Sequence, residues 1–470
     1  MLRRLSGCRK VALLPIRCSS IVRKRPYASA AEDSANPSGA SLPSVRDAVV
    51  ATLAGVAVLA VGGVIYSEAY KWNVLRKIGI AFEAGFDPIL ALNEPNADGA
   101  SAFRQSVKRP EQALVADIIN GRTSHHYYLF LGPKGAGKTS MIVESMRECK
   151  ADGVAVFDAH QDLNVFALRF CKALNYENLE DSINGLFNRR DPREAGPLLD
   201  IERALNKLEK VAMRFRQQRG RPLVLVINNL HYLHDDQESW MLLHLFQQRA
   251  ESWAQSNVLT MLLLSDSYWV HERLQQNASR MQVVTCNDLS REVTIKAIVE
   301  ERRRLFNEAA HISQPTAEKL FELIGGRVSF LTPLVAQPDM LQAGHAFIDR
   351  QRAWLLSRCG LIPEMDDDVM DEQKFASCSF LLFQALAREP SIPMWRAREI
   401  MTRPDYLHTL DLMNIIHIDV NHIVRADSQA MLNIFKETTS APHFASKLAQ
   451  TRDRIDEIES LGRTRELLWK

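Results

Sequence analysis

The hydrophobic pattern in the central part of the chain alternates between two periods. Short uninterrupted apolar runs are separated by longer stretches in which apolar residues recur every three or four positions. Uninterrupted runs are typical of strands buried on both faces of a sheet, and the longer spacing is typical of helices packed on that sheet. The runs lie at 127–131, 153–159, 223–228, 258–267 and 281–287. The pattern predicts an α/β fold with a five-stranded, doubly wound parallel sheet, and a ligand site at the carboxyl ends of its strands.

The pattern changes after the fifth run. Helical periodicity without strands covers 289–362, which predicts a small helical lid and connector. The acidic segment 363–372 is predicted to be a linker to a separate module. In 373–440, apolar helices precede "IIHIDV", the turn "NH" and "IVRAD", a succession typical of a winged helix. The amphipathic, charge-rich segment 441–470 predicts a C-terminal helix.

A third pattern lies near the N-terminus, where 48–66 contains no charged residue. About 20 apolar residues span a bilayer as a helix, and Asp47 and Glu68 bracket this run. We therefore expect a single-pass transmembrane helix at 48–66, with a buried core helix as the alternative. The segment 67–107 would then connect the membrane to the sheet domain, which is predicted at 108–288.

Charge is unevenly distributed, although the net charge of the 470-residue chain is only +2. No acidic residue precedes Glu32, whereas arginine and serine are frequent there. An arginine-rich leader without acids is the composition of a mitochondrial targeting sequence, and "RPYAS" predicts cleavage after Tyr27. We expect a leader at 1–27 and a linker at 28–47, with a disordered basic tail as the alternative. Leader and span together predict the mitochondrial inner membrane and leave the orientation open.

The first strand run continues into "GPKGAGKTS", which matches the G-x-x-x-x-G-K-[ST] phosphate loop between a strand and a helix. Glycines let backbone N–H groups turn toward phosphates, and the following helix N-terminus favours negative charge. Lys138 is expected to reach the β- and γ-phosphates of ATP, and the Thr139 hydroxyl is expected to bind Mg²⁺. The predicted nucleotide-binding residues of the loop are Gly132, Pro133, Lys134, Gly135, Ala136, Gly137, Lys138, Thr139 and Ser140.

The third strand run ends in Asn228 and Asn229, where nucleotide-hydrolysing proteins of this kind carry two acids. Asn228 can hydrogen-bond a metal-bound water without adding charge, and the neutral amide of Asn229 is a poor general base. Because phosphoryl transfer depends largely on orientation and electrostatics, a positioned water can still react. Asp235, Asp236 and Glu238 are alternative bases, although their pattern is typical of an exposed helix start. The sequence therefore predicts ATP binding with weak or absent hydrolysis.

These features resemble the AAA+ ATPases of the origin-recognition and STAND-like kind, which carry a winged helix after the lid. "KRPEQALVADIING" places Arg109 where that family has a segment near the adenine. "GGRVSFL" matches the sensor-2 segment, so the resemblance implies that Arg327 contacts the γ-phosphate. It also implies Ser265 or Asp266 as sensor 1, and Arg280 as an arginine finger toward a neighbouring subunit of a homo-oligomer.

Over 108–438 the chain is similar to fungal-type, membrane-anchored mitochondrial AAA+ proteins and to the ATPase core of the mitochondrial escape protein family. The resemblance implies a nucleotide-dependent switch or scaffold with a protein partner. An active ATPase that remodels proteins is one alternative, and a mitochondrial DNA tether that uses the winged helix is another. The tether lacks a strong basic stripe, because Arg396, Arg398 and Arg403 on the candidate helices are accompanied by acids.

Overall fold

The chain is described here by a computed structural model. The structure describes residues 45–92, 109–123, 125–176, 196–306 and 314–468. The predicted leader at 1–27 and its cleavage site lie outside these residues. The chain divides into two compact units, one that ends at Ile65 and one that begins at Tyr66.

The first helix, α1, covers Val45–Ala81 and is followed by the short helix α2, Pro88–Leu92. In the first unit, the large apolar side chains of α1 are exposed from Val49 to Ile65. Among the described residues, α1 is the one helix that is long and apolar enough to cross a membrane, judged by length and composition over Thr52–Ala81. The apolar helix that the sequence predicts at 48–66 is therefore present, and it extends further.

The sheet of the second unit has five parallel strands in the order β2-β3-β4-β1-β5. They are β1 (Tyr127–Leu131), β2 (Val154–Asp158), β3 (Leu223–Asn228), β4 (Leu259–Ser265) and β5 (Met281–Thr285). Each strand coincides with a predicted apolar run, so the predicted α/β fold is confirmed. In β3, Leu225 and Ile227 face one core while Val224 and Val226 face the other, as the period of a strand requires.

Helices cover both faces of the sheet. One face carries α3 (Glu111–Ile119) and α4 (Lys138–Glu148). The other face carries α5 (Leu163–Ala173), α6 (Pro197–Arg219), α7 (Gln237–Ser256) and α8 (Tyr268–Gln275). Because all five strands run in the same direction, their carboxyl ends and the loops that follow them meet at one edge.

The C-terminal part of α1 and the turn after it pack into this domain. Ile78 and Phe82 are fully buried in the same core as α5 and α6. The carbonyl oxygen of Phe82 accepts the Gly153 N–H at 2.9 Å, and Asp87 Oδ2 accepts the Val156 N–H at 3.1 Å. These contacts cover the outer edge of β2, so the first part of the predicted connector belongs to the sheet domain.

The lid follows the sheet as four helices: α9 (Arg291–Phe306), α10 (Gln314–Ile324), α11 (Val328–Val335) and α12 (Met340–Cys359). The winged helix comprises α13 (Met370–Arg388), β6 (Ser391–Pro393), α14 (Met394–Met401), α15 (Pro404–Leu412), β7 (Ile416–Ile418), β8 (Ile423–Ala426) and α16 (Gln429–Thr439). The predicted hairpin is β7–β8, to which β6 adds a third antiparallel strand. The C-terminal helix α17 covers Phe444–Leu468.

Lid and winged helix are less separate than the sequence suggests. Leu320 and Leu331 of the lid belong to the same buried cluster as Phe383 and Phe435 of the winged helix. The predicted linker 363–372 also contains a 3-10 turn and the start of α13. The lid and the winged helix therefore share one core, because the apolar faces of their helices pack against each other.

Candidate nucleotide-binding site

The loop between β1 and α4 has the backbone that a phosphate loop requires. Gly135 and Gly137 have φ values of 79° and 108°, a region that residues with side chains rarely adopt. Gly137 directly precedes α4, which begins at Lys138. The unpaired N–H groups of the first turn of α4 therefore lie at the carboxyl end of β1, as the sequence predicts.

A cavity of about 230 Å³ lies beside this loop. Its walls include the predicted nucleotide-binding residues Lys134, Gly135, Gly137, Lys138, Thr139 and Ser140. Asn229, His231 and Asp266 line the cavity from the sheet side, and Ser329 lines it from the lid. The cavity is therefore an open cleft lined by the loop, by the ends of two strands and by the start of α11.

Lys138 is held inside the loop, and its side chain is 6% exposed. Its ammonium donates to Gly132 O at 2.7 Å and to Pro133 O at 3.1 Å, and it pairs with Asp266 Oδ1 at 2.6 Å. A buried ammonium needs such partners, since leaving one unpaired is strongly destabilising. The ammonium group of Lys138, which is predicted to bind phosphate, thus lines the cavity with the carboxylate of Asp266 as its counter-ion.

The two asparagines lie at the end of β3 and form a short hydrogen-bonded chain. Thr139 Oγ1 donates to Asn228 Oδ1 at 3.2 Å. The Nδ2 groups of Asn228 and Asn229 both donate to Asp158 Oδ1, at 2.7 and 2.9 Å. Asp158, at the end of β2, was not identified from the sequence. The signal available in the sequence is its position at the end of the second apolar run, whereas its proximity to β3 comes only from the fold.

Of the two residues that the resemblance implies as sensor 1 at the end of β4, Asp266 lines the cavity and Ser265 does not. Ser265 is fully buried, and its hydroxyl closes a turn by accepting the Ser267 N–H at 3.1 Å. Asp266 is the residue that lines the cavity. His231 also lines the cavity, and its Nδ1 lies 3.6 Å from Asp266 Oδ2. Burial lowers the pKa of His231, so its imidazole is neutral near pH 7.

Arg327 lies at the start of α11 and is only 1% exposed. Its guanidinium forms ion pairs with Asp288, at 2.6 Å, and with Asp427, at 2.9 Å. It also donates to Lys134 O at 2.9 Å and to the carbonyl oxygen of Asp427. One side chain therefore joins the phosphate loop, the segment after β5 and the winged helix. The predicted contact with a γ-phosphate stays a prediction, and it requires the guanidinium to exchange one of these partners.

Arg109 reaches the phosphate loop from the segment before α3. Its guanidinium donates to Ala136 O and, at 2.8 Å, to Asn287 O. Arg109 thus contacts the loop directly, and its predicted place near the adenine stays a prediction. Arg280 lies at the amino end of β5, where its carbonyl oxygen accepts the Tyr127 N–H. It is therefore at the opposite edge of the sheet from the loop, and its role toward a neighbouring subunit stays a prediction.

The acids that follow the asparagines do not line this cavity. Asp236 caps α7 by accepting the Ser239 N–H at 2.8 Å, which confirms the predicted helix start. Asp235 accepts from the Trp240 indole at 2.6 Å and lies 3.4 Å from the Arg273 guanidinium. Both carboxylates are engaged at the helix start, and neither is placed to act as the base.

The winged helix packs against the sheet domain close to the end of β4. Asp411 of α15 accepts the Tyr268 N–H at 3.0 Å, and the Tyr268 hydroxyl lies 2.5 Å from His422 Nδ1 in the β7–β8 turn. Burial raises the pKa of Asp411 to about 7. His408, also on α15, lies 3.5 Å from Asp235. The helix and the wing are thus both in contact with the domain that carries the phosphate loop.

A phosphate loop after the first strand of this five-stranded sheet, followed by a helical lid, defines a P-loop protein of the AAA+ class. Residues 107–261 match the family described as AAA ATPase domain. Residues 356–459 match the family described as the C-terminal winged helix domain of fungal AAA protein. The chain therefore contains an AAA ATPase domain followed by the winged helix domain of fungal AAA proteins. No curated protein sequence matches the chain significantly.

Several solved structures resemble the chain at low sequence identity. The Walker-type ATPase PABY2304 of Pyrococcus abyssi is 14% identical, with 70% of this chain and 96% of that chain covered and a TM-score of 0.47. The ORC2 protein of Aeropyrum pernix is 11% identical, with 77% and 98% covered and a TM-score of 0.40. The ORC1 protein of Aeropyrum pernix in complex with DNA is 10% identical, with 75% and 98% covered and a TM-score of 0.38.

An AAA ATPase fold implies nucleotide binding, and the residues of this site fit a nucleotide with its magnesium ion. The buried ammonium of Lys138 and the N–H groups at the start of α4 are donors for phosphate oxygens. Thr139 Oγ1 is the hydroxyl that such loops offer to Mg²⁺. ATP would supply the reactive γ-phosphate, which these residues would bind and orient.

Proposed function

We propose that this protein is an ATP-binding switch anchored in the mitochondrial inner membrane, in which the nucleotide controls what the winged helix presents to a protein partner. The proposal is based on the contacts made by Arg327. Its guanidinium holds Lys134 O in the phosphate loop and both the carboxylate and the carbonyl of Asp427 in the winged helix. A change in the shape of the loop on nucleotide binding would therefore be transmitted to the winged helix through a single side chain.

Slow or absent hydrolysis follows from the chemistry at the end of β3. Asn229 lines the cavity but carries a neutral amide, which does not accept a proton from water. Asp235 and Asp236 are engaged at the start of α7. A protein that keeps ATP bound without rapid turnover can hold one conformation for long periods, which suits a switch better than a motor.

A protein partner is proposed rather than DNA because of the position of α15. This helix precedes the β7–β8 wing, so it corresponds to the helix that winged-helix proteins insert into the major groove. Here it caps α8 through Asp411 and lies against Asp235 through His408. Arg396 and Arg403 are paired with Glu389 and Asp405, which reduces the positive charge available to phosphates.

The location in the inner membrane is supported by the acid-free leader in the sequence and by the apolar exposed part of α1. Import of the full chain into isolated mitochondria, followed by carbonate extraction, tests it. Cleavage of the leader and retention in the membrane pellet are expected. Protection from added protease after rupture of the outer membrane would show that the AAA domain faces the matrix, and digestion would show that it faces the intermembrane space.

The decisive experiment measures ATP binding and turnover by the full chain in detergent micelles, with Lys138→Ala as the control. Wild-type protein is expected to bind ATP tightly with little release of phosphate, and Lys138→Ala is expected to lose binding. Limited proteolysis of the winged helix with and without ATP then tests the coupling. Asp427→Asn, which removes the charge that Arg327 holds, should abolish the difference while ATP still binds.

An active ATPase is the second candidate, because His231 offers a base that the sequence did not reveal. Its imidazole lines the cavity, and burial lowers its pKa, which keeps the ring neutral at pH 7 with a nitrogen lone pair free to accept a proton. Rapid turnover in wild type that His231→Gln abolishes, with ATP binding retained, would support this candidate. The same result would contradict the switch with slow turnover.

A further inference from the structure

The missing acid of β3 has a counterpart on the neighbouring strand. We propose that Asp158, at the end of β2, supplies the negative charge that the magnesium site requires, and acts on the metal through the amide of Asn228. This inference rests on nucleotide binding at the phosphate loop, as proposed above. Asp158 is a positioning residue in this scheme, since the contact with Thr139 is made by Asn228.

The register of the sheet brings the two residues together. Asp158 and Asn228 are paired positions on the adjacent parallel strands β2 and β3. Both strands end here, so their side chains project toward the edge that carries the phosphate loop. β3 thus ends in an amide, and the nearest strand presents a carboxylate at the same level of the sheet.

The hydrogen bonds also fix which way Asn228 faces. Asp158 Oδ1 accepts from the Nδ2 groups of both Asn228 and Asn229, at 2.7 and 2.9 Å. A carboxylate can only accept, so it holds the nitrogen of Asn228 toward itself and leaves the carbonyl oxygen on the opposite side. That oxygen accepts from Thr139 Oγ1 at 3.2 Å. Asp158 therefore orients the Asn228 amide so that its oxygen lies beside the Thr139 hydroxyl, which is expected to bind the metal. An oxygen is the acceptor that a magnesium-bound water needs.

The charge matters as well as the orientation. The hydrogen bond to an ionised carboxylate polarises the Asn228 amide, which makes its oxygen a stronger acceptor. In metal sites, groups that orient and polarise a ligand in this way contribute about 10- to 100-fold to metal affinity. The competing interpretation is that Asp158 only fastens the ends of two strands, in which case a neutral side chain of the same shape would serve equally well.

Asp158→Asn separates these interpretations, because it keeps the shape of the side chain and removes the charge. The full chain in detergent micelles is titrated with AMP-PCP in excess Mg²⁺ and in EDTA, and Mn²⁺ binding to the complex is followed by electron paramagnetic resonance. We expect Asp158→Asn to weaken Mn²⁺ binding and the stimulation by Mg²⁺ about 10-fold or more. The affinity for AMP-PCP in EDTA should stay within about twofold of wild type, since Asp158 does not line the cavity.

Two further variants sharpen the test. Asn228→Asp in the Asp158→Asn background moves the carboxylate back onto β3, and it should restore the Mg²⁺ stimulation. Asp117→Asn makes the same change of charge at a half-exposed pair with Arg122 and should change nothing. Unchanged metal binding in Asp158→Asn, or an equal loss of affinity in Mg²⁺ and EDTA, would overturn the inference and leave the proposed function standing. Failure of the wild type to bind AMP-PCP in either condition would overturn both.

Discussion

Replacement of Arg327 by lysine is the most informative single change in this protein. The five N–H donors of a guanidinium are all engaged at this position. Nε and Nη2 donate to the carboxylate of Asp288, Nη1 donates to Lys134 O and Asp427 Oδ2, and Nη2 donates to the carbonyl oxygen of Asp427. Lysine keeps the positive charge but has three donors on one nitrogen, so at least two acceptors lose their partner.

The expected cost depends on which acceptors water can reach. Asp288 is 27% exposed and can be hydrated, whereas Asp427 is 7% exposed and depends on the arginine. A buried acceptor left without a donor costs roughly 1–3 kcal/mol. With Asp427 bearing most of the loss, the contact between winged helix and phosphate loop should weaken by about 2–3 kcal/mol, which is roughly 30- to 150-fold in its opening equilibrium.

Hydrogen exchange of the full chain in detergent micelles measures this opening. Amides at the start of α16, next to Asp427, should exchange faster in Arg327→Lys by about the factor given above. Arg352→Lys is a matched control, because Arg352 pairs with Asp349 and with Glu437 of α16 at a partly exposed position. Exposed pairs contribute about 0–1 kcal/mol, so this control should change exchange little.

The opposite pattern would refute the reasoning. Unchanged exchange of α16 in Arg327→Lys, together with a marked loss of ATP affinity, would mean that Arg327 is a γ-phosphate contact, as the resemblance to AAA+ ATPases implies. In that case the ion pair with Asp427 would contribute little to the docking of the winged helix, and the proposed coupling would need another route.

Three further changes test other parts of the structure. Burial raises the pKa of Asp411 to about 7 from an ordinary value near 4. Between these two pH values the folded state keeps a proton that the unfolded state releases. The free energy of unfolding therefore falls by up to about 4 kcal/mol as the pH rises from about 4 through about 7. In Asp411→Asn, the melting temperature should depend less on pH between about 4 and 7 than in wild type. An unchanged dependence would contradict the raised pKa of Asp411. Phe82→Ala should destabilise the protein by about 3–5 kcal/mol because it empties a fully buried site, whereas Phe86→Ala, at a position that is 39% exposed, should have little effect on the melting temperature. Gly135→Ala should weaken ATP binding, because the added Cβ would lie 2.0 Å from Ser329 Oγ at a backbone φ of 79°. Gly196→Ala is the control, since its φ is 74° and its Cβ would have no neighbour within 4 Å. It introduces the backbone strain alone and should leave the affinity for ATP unchanged.

The strands and the phosphate loop could be predicted because their signals are local. The run from Leu223 to Ile227 is apolar throughout, and each of its residues is buried in the structure. Gly137 and Lys138 are adjacent in the chain, so the motif itself fixes the turn and the start of α4. Interactions within a few residues leave a periodic or spaced pattern that can be read without knowledge of the fold.

The partners of these residues could not be predicted, since the fold brings together residues that are far apart in sequence. Arg327 bonds to Lys134 and Asp427, which are 193 and 100 positions away. Asn228 bonds to Asp158 across 70 positions. The strand order β2-β3-β4-β1-β5 decides which ends are neighbours, and no pattern within a single segment records it. The same limitation hid the shared core of the lid and the winged helix.

The packing of Ile78 and Phe82 has a practical consequence for anyone who prepares this domain without its apolar helix. A soluble fragment that begins near residue 101 would lack both side chains and the carbonyl and carboxylate that cover β2. Uncovered strand edges pair with other chains, so such a fragment should aggregate. A fragment that begins at Tyr66 keeps these contacts. By the same reasoning, proteolysis that removed everything before residue 93 would not release a stable soluble form of the ATPase domain.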